Sequence, residues 1–192
     1  MLQKICAKII FISAVNLLIS SCGTDNSVGG GVTQFKTSYA TASAATTRLE
    51  ADLITGNTCS ATGSAGGTIS TENIDFTILT TSSVKGTATP LPIAITGWTV
   101  TFVPKNAGIP SLTPLTGSTS TIITPSGSAI IPVAITTDLQ KIDLIAVNPS
   151  LPCSLNIYQY DVFVSFRAVE VGIEGSKTIT ASLVMAIADR NN

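Results

Sequence analysis

The chain has 192 residues, only 11% of them charged, with ten basic against eleven acidic side chains and a formal net charge of −1. That balance leaves no basic surface to recruit nucleic acid. Histidine is absent, which excludes Ser-His-Asp and Cys-His nucleophilic systems and zinc sites built on imidazole.

The amino terminus opens with Lys4 and Lys8, followed by an apolar run from Ile9 to Ile19 broken only by Ser13 and Asn16. A basic flank before a short apolar core is the layout of an export signal. A membrane-spanning helix needs about 20 apolar residues, and this run is far shorter. Directly after it stands Leu18-Ile19-Ser20-Ser21-Cys22, which resembles the lipobox of bacterial lipoproteins. The resemblance implies that the Cys22 sulfur is diacylated with palmitate-like chains, that cleavage falls on its amino side, and that residues 1–21 are lost as a signal peptide. Small Ser20 and Ser21 would let a peptidase approach the backbone, and each buried acyl CH₂ adds about 0.8 kcal/mol of membrane affinity. An ordinary cleaved signal or a retained anchor is the alternative. Gly23, where the family's retention signal would carry Asp, implies the outer membrane if the cell is diderm. The expected address is therefore the cell envelope, with the membrane as a partner through lipid on Cys22.

Residues 22–47 are expected to form a lipid-anchored flexible tether, because Thr24 to Thr47 is Gly, Ser, Thr and Ala around Gly29-Gly30-Gly31. A flexible chain of that composition reaches roughly 25 Å. The competing reading makes Gln34 to Ala42 a first edge strand. Residues 48–192 are expected to be one β-sandwich domain.

Strands alternate every second residue. By that period Leu49, Ala51 and Leu53 lie inward on one strand, and Ile74, Phe76 and Ile78 on the next. Ile93, Ile95, Trp98, Val100 and Phe102 follow, across a break at Gly97 where a bulge restores the register. Two short apolar runs, Thr119 to Thr124 and Ala129 to Thr136, flank the turn Pro125-Ser126-Gly127. Pro132 cannot donate to a ladder, so its strand is expected at a sheet edge or at a bulge. Thr137 is expected to cap a single helix running to Ile145, with Leu139, Ile142 and Ile145 on one face. The chain closes on a long hairpin, with Tyr158, Tyr160, Val162, Val164 and Phe166 facing Ile179, Ala181, Leu183, Met185 and Ile187 across a turn at Gly172 to Ser176. Seven or so strands with one short helix describe an all-β, two-sheet sandwich. Trp98 on an inner strand and the tyrosine-led late strand resemble immunoglobulin or fibronectin type III modules in arrangement. A small β-barrel is the alternative.

Of the four cysteines, Cys6 departs with the signal and Cys22 is taken by lipid. Cys59 and Cys153 then remain in an oxidising compartment, where a disulfide is expected; two free buried thiols are the alternative. No CxxC motif is present, so the bond is structural in role.

Several residue pairs invite chemistry and are outweighed by plainer readings. Asp138 with Asp143, and Glu170 with Glu174, are close carboxylates, but the first pair falls on different helix faces and the second flanks a turn. Ser176-Lys177 and Ser83-Lys85 are neighbours in Gly- and Ser-rich tips. Asp75 or Glu72 with loop carbonyls would be a poor calcium site. An exposed Trp98 or Tyr158 would suggest a sugar platform, yet alternation places both in the core. No cofactor, metal or catalytic residue is expected. The leading expectation is a non-enzymatic envelope module that binds another envelope protein, one route being strand addition at the Pro132 edge. A binder of a small carbohydrate or lipid is the alternative, and an enzyme working without histidine the third.

Overall fold

A computed structural model describes residues 30–60, 63–84 and 88–190. Cys6, the lipobox and Cys22 lie outside them. In chain order the strands are β1 (Thr33–Gln34), β2 (Ser38–Ala44), β3 (Arg48–Asp52), β4 (Thr58–Ser60), β5 (Gly63–Ala65), β6 (Glu72–Ser82), β7 (Ile93–Pro104), β8 (Leu115–Ile123), β9 (Ser128–Thr136), β10 (Tyr158–Glu170) and β11 (Lys177–Ala188). The helix, α1 (Asp138–Val147), sits between β9 and β10. One sheet has the order β1-β2-β6-β9, the other β3-β11-β10-β7-β8, and β4 with β5 form a small separate ribbon. Among the described residues the fold is all-β, a two-sheet sandwich with one short helix, the first of the two architectures expected from the alternation.

The core lies where the inward rows of the two sheets meet. Phe76 of β6 meets Phe166 of β10 edge-on, ring centroids 5.6 Å apart, an arrangement that contributes about 0.5–1.5 kcal/mol beyond area burial. Tyr160 and Phe102, on adjacent strands, stack edge-on at 6.4 Å. The closing hairpin holds register from Tyr158↔Ile187 to Ala168↔Lys177. Its turn needs Gly172 at φ +84° and Gly175 at φ +95°, where a side chain would be strained.

The break at Gly97 is a bulge: β7 slips register against both β10 and β8 at this level. Just beyond it the Trp98 indole lies flat over Gly117 of β8, where any Cβ would collide with the ring. The turn at 125–127 does not make a hairpin within one sheet. It hands the chain from β8 in the five-stranded sheet to β9 in the four-stranded one. Pro132 stands opposite Asp75 in β9, which borders its sheet, where a missing N–H costs no ladder bond.

Two expectations need correction. The tether assigned to 22–47 is not a tether over Thr33–Gln34 and Ser38–Ala44, which are β1 and β2; β2 lies inside the sheet between β1 and β6. Its inward residues Ser38, Ala40 and Ala42 are buried but too small to register as a hydrophobic period. The helix is also rotated by about one residue from the face expected. Leu139 and Ile142 are 63% and 47% exposed, whereas Gln140, Lys141 and Leu144 are buried. The first turn explains it. Thr137 and Gln140 form a reciprocal capping box, the Gln140 amide donates to the Thr113 carbonyl at 2.7 Å, and Lys141 reaches Glu72. These polar tethers fix the rotation against the apolar stripe.

Candidate functional site

The chain enters the sandwich through a seam. Gly30 passes between the Ala42 carbonyl of β2 and the Thr180 carbonyl of β11, so tightly that a Cβ has no room. Three residues on, the Thr33 hydroxyl donates to the Thr178 carbonyl at 2.9 Å. The opening segment therefore bridges both sheets. Cys22, the residue expected to carry lipid, stands eight positions before Gly30.

Below the seam, Phe35 is buried with the Lys177 ammonium 5.7 Å from its ring centroid. Lys177 also donates to the Gln34 carbonyl. Beside them a surface pocket of about 310 Å³ opens between the 34–36 segment and the tip of the β10–β11 hairpin. Its walls carry Lys36, Glu170, Glu174 and Lys177 as well as Phe35 and Ile173. The structure thus gathers two of the pairs weighed above, Glu170 with Glu174 and Ser176 with Lys177, at one place.

Glu170 is not available for chemistry there. Its Oε2 accepts from the Lys36 N–H at 2.8 Å, and its Oε1 accepts from both the N–H (2.8 Å) and the hydroxyl of Thr37. Burial pushes this carboxyl up, but the Thr37 hydroxyl and N–H, the Lys36 N–H and the Lys177 charge outweigh burial and hold it below its ordinary value. The carboxylate is a pin that fastens the 36–37 turn to the end of β10.

At the opposite end of the sandwich, Cys59 and Cys153 form a disulfide, Cα atoms 5.4 Å apart. It joins β4 to the 148–157 loop, 94 residues on. Asp189 accepts from the Cys153 N–H and, at 2.9 Å, from the Asn57 amide. Asn57 donates onward to Ser64 of β5 at 2.8 Å. Cys153 holds a left-handed backbone, φ +63°, which the Asp189 bond supports. The Asp189 carboxylate and the two sulfurs lie together in the geometry of a metal-ligand set. The sulfurs are bonded to each other, however, and present no thiolate. Asn57 and Asp189 escape sequence reasoning because neither sits in a motif; only the nearness of Asn57 to Cys59 hints at its role.

The other candidates disperse. Asp138 and Asp143 are exposed on α1, Asp75 is exposed on β6, and Glu72 is paired with Lys141. Ser83 is half-buried, and Lys85 lies outside the described residues. Trp98 and Tyr158 are half-buried against the core; the Tyr158 hydroxyl accepts from Asn148 at 2.9 Å.

No protein-family model matches the chain, and no curated protein matches it. Among solved structures, the crystal structure of a protein from Archaeoglobus fulgidus is similar over 80% of this chain and 95% of its own, at 8% identity and a TM-score of 0.38.

Proposed function

We propose that the protein is a non-enzymatic, lipid-anchored module of the cell envelope, held by acyl chains on Cys22 and binding another envelope protein through its sheet edges. The observation that carries this reading is the short span between Cys22 and the seam. By the same relation that gives roughly 25 Å for the expected tether, eight residues would span roughly 16 Å, so acylation at Cys22 would hold the sandwich close to the membrane. The disulfide at Cys59 and Cys153 agrees with an oxidising compartment. The test is Cys22→Ala in intact cells: loss of acyl labelling and release from the membrane fraction is expected, and unchanged membrane fractionation refutes the anchor. Crosslinking in intact cells then identifies the neighbours.

The second reading is a small-ligand binder, favoured by the pocket of about 310 Å³ at the hairpin tip. Its charged rim suits a polar, carbohydrate-like ligand rather than a lipid chain. A glycan array probed with the mature protein distinguishes the two. Saturable binding abolished by Glu174→Ala with Lys177→Ala would favour the ligand reading.

A further inference from the structure

The described chain opens by running toward the tip of the β10–β11 hairpin. β1 pairs antiparallel with β2, Thr33 opposite Ala40 and Gln34 opposite Tyr39, and Glu170 at the end of β10 then pins Lys36 and Thr37. The chain therefore arrives from the other end of the sandwich, where β6 and β10 begin and β9 and β11 end. That end carries α1, tied to Glu72, and the 148–157 loop, tied to Asp189 through Cys153. From Gly30, beside Ala42, it is two residues along β2 to Ala44, then four along β6 from Phe76, the partner of Ala44, to Glu72, roughly 20 Å at the rise of a strand. The eight residues from Cys22 to Gly30 would span roughly 16 Å, too little to hold this end clear of a bilayer in which Cys22 is anchored.

The same end is apolar where it faces outward. Leu155 is fully exposed, Val147 is 69% and Ile157 49% exposed, and no charged side chain occurs between Asp143 and Asp161. The Asn148 amide donates to the Tyr158 hydroxyl at 2.9 Å, which draws the two ends of the loop together, and the disulfide at Cys153 fastens it to β4. A loop that enters a lipid surface has to satisfy its own backbone. Here the N–H groups of Asn148, Leu151 and Ser154 donate to the carbonyls of Leu144, Asn148 and Leu151. Those of Cys153 and Asn156 donate to the Asp189 carboxylate and the Ser154 hydroxyl, and Pro149 and Pro152 have none to satisfy. On α1, Leu139 and Ile142 are exposed among Asp138 and Asp143, a mixture that suits the level of the headgroups rather than hydrocarbon.

We propose that the 148–157 loop is a second membrane contact, in which Leu155, flanked by Val147 and Ile157, enters the lipid surface beside the acyl chains of Cys22. The proposal rests on the anchor reading above and adds an orientation to it: the α1 end faces lipid, and the β10–β11 tip with its pocket faces away. Two or three aliphatic side chains hold a protein at a membrane only weakly by themselves. An acyl anchor within roughly 16 Å of Gly30 turns their insertion into an intramolecular event at high effective concentration. A protein partner could also cover aliphatic side chains. A bilayer is the occupant favoured here because the direction and length of the entering chain bring it to this end, and because the stretch from Leu144 to Tyr160 offers no charge for a protein to recognise.

The test uses the full chain in its native cells, with a photo-crosslinking residue in place of Leu155 and, as control, in place of Glu174, exposed at the opposite tip. Mass mapping is expected to find membrane lipid joined to position 155 and none joined to 174. Equal lipid adducts from both positions, no lipid adduct from 155, or an adduct from 155 with another protein instead of lipid overturns the proposal. With the crosslinking residue moved to Val147, the double variant Leu155→Asp, Ile157→Asp is expected to lose the lipid adduct that the otherwise unaltered chain gives; an undiminished adduct overturns the proposal too. If the double variant fails to fold, the comparison of 155 with 174 decides alone. The amino-terminal peptide is weighed in the same samples. Acylated Cys22 without a lipid adduct at 155 sinks the loop contact and leaves the anchor standing, whereas an unacylated amino terminus sinks both.

Discussion

Lys141, its side chain wholly buried, donates to Glu72 Oε1 at 3.0 Å and so ties the first turns of α1 to the first residue of β6. A charge taken out of water depends on its partner, and the two ends of such a pair respond unequally to removal. Glu72→Ala strands the ammonium and is expected to cost about 3–5 kcal/mol. Lys141→Met removes the charge and fills the space, and is expected to cost much less or to stabilise. Urea denaturation of both variants checks the asymmetry; equal losses would mean that the pair is not what orients the helix.

Glu170 should make stability depend on acid. Its folded pKa is lowered from 4.5, so its contribution is complete above that ordinary value and is lost as pH falls through it toward the folded value. Glu170→Gln keeps the shape, loses the charge-assisted bonds to Lys36 and Thr37, and is expected to cost about 1–3 kcal/mol at neutral pH. The gap between wild type and variant should narrow as the solution is acidified below pH 4.5. Thermal melts across that range measure it, and a gap independent of pH refutes the ionised pin.

Gly117 is the seat of the single tryptophan. Gly117→Ala puts a methyl into the Trp98 ring and is expected to displace the indole toward water at a cost of about 1–3 kcal/mol. Because Trp98 is the sole tryptophan, its emission should shift to the red. An unshifted spectrum in a folded variant would place the ring elsewhere.

Removing the disulfide by Cys59→Ala with Cys153→Ala releases a loop of 94 residues. On the chain-entropy account this costs roughly 4–5 kcal/mol. The loss should be steepest at the β4–β5 ribbon and the 148–157 loop, where hydrogen exchange should quicken before it does in the β10–β11 hairpin. Uniform quickening would show that the bond supports the whole sandwich rather than one end.

The alternation of Tyr158 to Phe166 and of Ile179 to Ile187 makes the closing hairpin legible, because large side chains face small or polar ones at every second position. Pro132 announces its border strand by the donor it lacks, and once Cys6 and Cys22 are set aside as the expected signal and lipid positions, Cys59 and Cys153 have only each other, as the disulfide shows. What hides from sequence is settled at a distance. The rotation of α1 answers to Glu72, 69 residues away, and the pin at Glu170 answers to Lys36 and Thr37, more than 130 residues away. Strand β2 hides because its inward Ser38, Ala40 and Ala42 bury little apolar area, while its large side chain, Tyr39, stands on the outward row between them.

The clasp at Gly30 gives the amino end a mechanical meaning. Since the first described residues lie across β2 and β11 together, a pull from that end is shared by the two layers and does not peel one border strand away. A bulkier residue at position 30 would prise the layers apart where the segment crosses them, so the residue without a side chain stands at the crossing.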